Sequence, residues 1–251
     1  MVFGRKGTGA PAEDDGLRGH RAVLEHLARE EHDKPLQRAQ VTSGLLFDQV
    51  YQWLASPEKG TRIEDLLGLL ASNGGYACIV STLEMLRVLG KTTREVGMID
   101  VETTDGARYY FGDLPNRLLW ESEHSLLSLA LGAAQHAGGE VSAAMVQEAM
   151  ARTAKALGSA EFASLGDIPA EHRPTDRPID YVQHTWPHVL KTLELYAVPP
   201  DKRATTLGFT IARAIEAAKG VIDPTLAARI VIECAVPMAK LDPARFAAKA
   251  A

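Results

Sequence analysis

The densest run of polar side chains in this sequence spans residues 113–124, and its residue types suit the binding of a polar molecule or a partner surface. On a continuous helix, residues three or four positions apart are neighbours, so Arg117, Glu121 and His124 would share one face. A guanidinium, a carboxylate and an imidazole on one face can bind a polar group. The candidate surface consists of Tyr109, Asn116, Arg117, Trp120, Glu121 and His124.

The spacing Glu121-x-x-His124 is also found in carboxylate-bridged metal centres of helical bundles. Those centres need a second copy of the motif and two further glutamates. The sequence has no second copy on a plausible helix, so a di-metal centre is not supported. Exposed charge pairing between Arg117 and Glu121 is the simpler interpretation.

A second candidate consists of Asp180, His184 and His188, which are spaced by four residues. On one helix they would share a face, and two histidines at this spacing can chelate Zn²⁺. However, Pro187 lies between the histidines, and no glutamate follows His184 as the metalloprotease motif requires. We therefore expect surface histidines here, with a metal site as the less favoured interpretation.

The segment 61–112 has the order helix, helix, hairpin, which is the layout of a winged helix-turn-helix. The helix that would read DNA, residues 76–89, has Arg87 as its only basic residue, and Glu84 offsets that charge. The net charge of the chain is -5, which also disfavours nucleic acid as a partner. A buried core helix is the better interpretation, and a transcriptional regulator remains an alternative.

No nucleophile elbow, phosphate-binding loop or dinucleotide-binding motif is present, so the sequence predicts no catalytic residue and no cofactor. Our first hypothesis is a non-enzymatic protein-interaction or regulatory module that binds a protein partner or itself as a homodimer. The alternative is an enzyme or small-ligand-binding protein whose helical pocket surrounds Arg117, Glu121 and His124. In that case residues 158–188 would form a lid.

Apolar residues recur every three to four positions along almost the whole chain, which predicts an all-α bundle or irregular array of nine or ten helices. We expect residues 1–16 to be disordered and 17–251 to form one domain, with a possible subdivision in the loop 158–178. Asn73-Gly74-Gly75 is expected to end one helix before the next begins at Tyr76. Period-two alternation predicts a β-hairpin near 98–112 with Asp105-Gly106 as a two-residue turn, which pairs Val101 with Tyr110.

The apolar fraction of 46% and the charged fraction of 24% are typical of a soluble globular protein. The two cysteines, Cys78 and Cys234, have apolar neighbours, so we expect buried, reduced thiols. No segment reads as a secretory signal or a membrane span, so no membrane association is predicted. The cytoplasm is the expected compartment.

Overall fold

The computed structural model describes residues 12–56, 58 and 60–247, which fall into two compact units with a boundary after Arg38. In the first unit, helix α1 spans Ala12–Glu30, and the Lys34 ammonium donates to Glu30 at 2.9 Å. The predicted disorder of residues 1–16 falls mostly on residues 1–11, which lie outside the described residues. Helix α1 begins at Ala12, so residues 12–16 of the segment that was expected to be disordered are helical.

The regular structure in the rest of the described chain is helical except for one antiparallel hairpin, which confirms the predicted fold class. The strands are β1, Ile99–Glu102, and β2, Arg108–Phe111. The α-helices are α2 Gln37–Leu54, α3 Ile63–Val88, α4 Asp113–Asn116, α5 Leu126–His136, α6 Ala143–Lys155, α7 Pro178–Leu195, α8 Pro200–Ala217, α9 Pro224–Met238 and α10 Ala244–Ala247.

Helix α3 is the buried centre of the second unit and packs against α7, α8 and α9. Among the described residues it is the one helix that is long and apolar enough to cross a membrane, yet 89% of its most apolar stretch is buried by the rest of the protein. Such burial is typical of the core helix of a soluble protein. Cys78 on α3 and Cys234 on α9 are buried free thiols, as predicted.

The predicted helix end at Asn73-Gly74-Gly75 is wrong, because α3 continues through these residues. The Asn73 side-chain amide donates to the carbonyl of Leu69, one turn earlier, and to Thr185 Oγ1, both at 2.8 Å. Because the NH₂ group of Asn73 forms these two bonds, the side chain does not compete with the helical backbone. The segment Ile63–Val88 is therefore one helix, and the two-helix layout of a winged helix-turn-helix is absent there.

The glycines of α3 are required by close packing. A Cβ atom built on Gly75 would lie 2.0 Å from the carbonyl oxygen of Ala235 on α9, and one on Gly74 would lie 2.6 Å from the Leu126 side chain on α5. The distance at Gly75 is too short for any side chain because it is to backbone, whereas at Gly74 the end of the Leu126 side chain would have to move. The intrinsic cost of glycine in a helix, about 1 kcal/mol each, is thus offset by the approach of two neighbouring helices.

The hairpin lies where the alternation predicts it, but its register differs by one residue. Val101 pairs with Tyr109, and the connection is the five-residue loop 103–107. This loop is closed by its own hydrogen bonds, with Thr103 N donating to Ala107 O at 2.9 Å and Ala107 N donating to Asp105 Oδ1 at 3.3 Å. The slip moves Tyr109 onto the face of Val101, where its ring is buried.

The chain that leaves α9 attaches the hairpin to the helices. Tyr110 N donates to the carbonyl of Lys240 at 2.8 Å, and Asp242 N donates to the carbonyl of Arg108 at 3.2 Å. Leu241 forms an antiparallel bridge with Tyr109. The second edge of β2 is therefore paired with residues 240–242, and an isolated two-stranded hairpin would lack this support.

The loop 158–178 lies inside the second unit and is held at both ends. At its beginning, Gly158 N donates to Tyr109 Oη at 3.4 Å, and the ring of Phe162 lies 4.8 Å from the Tyr109 ring. At its end, Thr175 N donates to Asp65 Oδ1 at 2.6 Å. Contacts with the hairpin and with the first turn of α3 thus hold a segment that has little regular structure.

We predict that Gly75→Ala destabilises the protein although alanine favours helix. The added methyl group must displace the α9 backbone, and we expect a loss of about 3 kcal/mol in the free energy of unfolding. Gly132→Ala on α5 is the matched control, because a Cβ atom there meets nothing within 4 Å. It should be neutral or stabilise by up to about 1 kcal/mol. Urea denaturation measures both, and equal effects would contradict the packing described above.

Candidate functional site

A cavity of about 350 Å³ lies between α6, the following loop and the C-terminal half of α9. We call it the Arg152 cavity. Its size is within the range of small-molecule sites, and it combines charged, hydroxyl and apolar groups. The lining residues used below are Arg152, Lys155, Ser159, Glu161, Ala163, Glu233 and Pro237.

Arg152 and Glu233 form an ion pair between α6 and α9 in the wall of this cavity. One guanidinium nitrogen of Arg152 donates to Glu233 Oε1, and the other lies 2.9 Å from Asp167 Oδ2. The Glu233 side chain is only 11% exposed. Burial raises the pKa of Glu233, while the neighbouring Arg152 opposes that shift. A buried carboxylate with a perturbed pKa at a cavity wall is a common feature of functional sites.

The loop wall of the cavity contains a strained residue. Ala163 has φ of 60°, a left-handed conformation that costs a non-glycine residue about 1 kcal/mol. Its neighbours hold the conformation, because Ser164 N donates to Glu161 O at 3.0 Å and Phe162 packs on Tyr109. The surrounding contacts therefore maintain the loop in a shape that leaves the cavity open.

The lining of the cavity carries side chains of both charges. Arg152 and Lys155 project from α6, one turn apart, whereas Glu233 lies on α9 and Glu161 lies in the loop. Ser159 and the apolar Pro237 also line the space. The arrangement can bind a molecule that carries both a negative and a positive group, because each would face the opposite charge.

The sequence-predicted surface around Arg117, Glu121 and His124 does not form as one helical face. Residues Arg117–Glu121 form a π-helical turn, and the chain becomes extended at Ser122. Helix α5 is a separate helix that begins after Ser125. The Ser125 side chain caps it by accepting a hydrogen bond from Ser128 N at 3.3 Å. All three side chains are exposed, and none of them lines the Arg152 cavity.

Three other residues of that predicted surface are internal. Tyr109 is buried under the loop 158–178, and Trp120 packs against the hydrophobic core. Asn116 Oδ1 accepts a hydrogen bond of 2.6 Å from Lys240, whose side chain lies over the Phe111 ring at 5.5 Å. Lys240 is only 3% exposed. These residues stabilise the junction between α4, the hairpin and the end of α9 instead of forming a surface.

His184 and His188 lie on one face of α7, as predicted, and both are exposed. The carboxylate of Asp180 lies 3.8 Å from Arg177 Nε. Within the part of the chain that the structure describes, no three side chains of His, Cys, Asp or Glu are grouped to hold a metal ion. The two histidines line a second cavity together with Trp53.

The residues of the Arg152 cavity were missed at the sequence level, because Arg152 and Glu233 are 81 positions apart. No local spacing connects two helices that meet only in the folded chain. One signal was available, since a long loop without periodicity in a compact domain is often functional. The loop 158–178 was noted for that reason, but only as a lid or boundary.

We predict that Lys240 makes stability rise with pH above about 8. Burial lowers the pKa of Lys240 from its usual 10.5 to about 8. Between these values the unfolded chain binds the additional proton, so the free energy of unfolding increases as pH rises. From pH 8 to pH 10, wild type should gain about 2 kcal/mol relative to Lys240→Met. Urea denaturation at both pH values tests this, and an unchanged difference would contradict it.

Comparison of the chain with protein-family models, with curated proteins and with solved structures finds no match in any of the three.

Proposed function

We propose that this protein binds a small zwitterionic metabolite, of amino-acid size, in the Arg152 cavity without transforming it. The observation that supports the proposal is a cavity of about 350 Å³ whose lining carries both cationic and anionic side chains. Arg152 and Glu233 already pair with each other, so the ligand's carboxylate would face Lys155 on α6. Its cationic group would face Glu161 in the loop.

The walls of the cavity suit binding because they are preorganised. Two of them are helices that pack on each other, α6 and α9, and the third is the loop supported by Tyr109. A rigid site avoids the entropy cost of ordering a loop when the ligand arrives. The four charged side chains that line the cavity, Arg152, Lys155, Glu161 and Glu233, have a net charge of zero without a ligand. A net-neutral zwitterion preserves that balance, whereas a simple anion or cation would leave charges unpaired.

A binding role also agrees with the state of the nucleophiles. Burial raises the pKa of the Cys78 thiol to about 12, and Cys234 is shifted in the same direction. Neither thiol forms a thiolate at neutral pH, so neither can act as a nucleophile. Both lie on helices of the core, α3 and α9. The two thiols are therefore assigned no part in the proposed site.

The proposal predicts selective binding within a panel of small polar compounds. Amino acids should give saturable heat in calorimetry, while succinate, putrescine and glycerol should not. Lys155→Ala and Glu161→Gln should each weaken binding about tenfold, because each removes one charge contact, about 1.4 kcal/mol. Lys191→Ala on α7 is the matched control and should bind as wild type. The proposal fails if no zwitterion in the panel binds, or if both cavity variants retain full affinity.

The predicted homodimer and the predicted cytoplasmic location remain expectations from the sequence. Self-association is tested by light scattering on the full chain, whose monomer mass is 27.1 kDa. We expect a mass near twice that value at micromolar concentration. A mass equal to that of the monomer across the accessible concentration range would contradict the predicted homodimer.

A further inference from the structure

We propose that a second cavity, separate from the Arg152 cavity, binds a planar heteroaromatic compound of nucleobase size. This cavity, which we call the Trp53 cleft, has a volume of about 300 Å³ and lies between α2, α3 and α7. Its lining includes Trp53, Leu54, Leu69, Tyr181, His184 and His188.

The rings at the cleft form a corner that suits a flat ligand. Trp53 and His188 lie edge to face, with 5.7 Å between ring centroids and an interplanar angle of 66°. Trp53 remains 41% exposed although it is a large apolar side chain at a cavity. A flat ring that stacks on one of these groups meets the edge of the other, which is a favourable arrangement for aromatic pairs. Leu54 and Leu69 add apolar contact.

The polar groups at the cleft select a heteroaromatic ring over a hydrocarbon ring. His184 and His188 lie one turn apart on α7, and Asp176 lies at the end of the preceding loop. A neutral imidazole has one donor and one acceptor nitrogen, and the carboxylate accepts. Ring nitrogens and exocyclic amino groups of a nucleobase can satisfy these groups. The carboxylate of Asp176 disfavours an aromatic anion, since the two negative charges would be close.

The remaining wall of the cleft is fixed by internal hydrogen bonds. Thr185 Oγ1 donates to the carbonyl of Tyr181 at 2.7 Å and accepts from Asn73 Nδ2 at 2.8 Å. Tyr181 Oη donates to Asp65 Oδ1 at 2.9 Å. These hydroxyl groups are already satisfied, so they shape the cavity but do not need the ligand. The polar atoms of the ligand would therefore bind the two histidines and Asp176, and its ring would stack on Trp53.

The test is a fluorescence and calorimetric titration of the full chain with adenine and hypoxanthine. Trp53 is the most exposed of the three tryptophans, so stacking on it should quench part of the emission in a saturable way. Benzoate and cyclohexanol are the class controls and should not bind. The proposal is overturned if neither base gives a saturable signal up to about 5 mM, the weak limit of specific small-ligand binding.

Single substitutions measure what each residue of the Trp53 cleft contributes to binding. Trp53→Leu should abolish the quenching and weaken binding about tenfold, and His188→Ala should weaken it about fivefold. Trp53→Phe, which keeps a flat ring, should retain affinity within a few-fold and guards against a folding defect in the leucine variant. His136→Ala, at an exposed histidine on α5, is the matched control and should bind as wild type. Unchanged affinity in both Trp53→Leu and His188→Ala would refute the site.

One further variant shows which cavity binds the base. Lys155→Ala removes a charge from the Arg152 cavity and should leave adenine binding unchanged. If instead it abolishes adenine binding, the base occupies the Arg152 cavity and the Trp53 cleft proposal is wrong. Failure of amino acids to bind would leave the adenine result unaffected, so the two proposals are tested independently.

Discussion

The backbone contact between α3 and α9 at Gly75 is the constraint on which the second unit depends. No side chain can be placed between the α carbon of Gly75 and the carbonyl of Ala235, so the two helices meet at backbone distance. Helix α9 ends one turn later, at Met238. Residues 240–242, which follow α9, pair with β2, and β2 carries Tyr109 under the loop 158–178. A series of direct contacts thus connects Gly75 with the loop that lines the Arg152 cavity.

A long buried helix such as α3 must also satisfy its polar side chains. Ser72 and Thr82 each donate to the carbonyl four residues earlier, at 2.6 and 2.8 Å, and Asn73 does the same. These bonds replace water without requiring another element. The polar residues near the first turn act differently, because Asp65 accepts from Thr175 and Tyr181 and so ties the loop to α3. One helix therefore serves both as the core and as the anchor of the loop.

Much of the fold could be predicted from the sequence, because helices that bury one face leave a repeat of apolar residues. Some helix starts also have a local signal, since Asp223 caps α9 before Pro224, the first helical residue, by accepting from Leu226 N at 2.9 Å. The failures have a common cause. The local sequence Asn73-Gly74-Gly75 is typical of a helix end, but α3 continues through it. The local sequence of Arg117–Glu121 is typical of regular α-helix, but it forms a π-helical turn. In both segments, contacts with distant parts of the chain determine the helical conformation that forms.

The candidate sites were harder to predict than the fold for the same reason. His184 and His188 share a face through local helical spacing, and that relation could be recognised in advance. Their neighbour Trp53 comes from α2, and Glu233 approaches Arg152 from a helix 81 residues further along the chain. Such groupings arise only from packing. The hairpin was predictable in part. Its position in the chain follows from the alternation of apolar residues, but the pairing of its strands depends on the burial of Tyr109.

The most direct test of this account is hydrogen exchange of the backbone amides, resolved by residue, together with carbon chemical shifts. If α3 is one continuous helix held against α9, the amides of residues 73–78 should exchange among the slowest in the protein, with helical shifts throughout. Fast exchange or non-helical shifts at Asn73, Gly74 and Gly75 would show two separate helices. That result would remove the contact at Gly75, and with it the described positions of the hairpin, the loop and the Arg152 cavity.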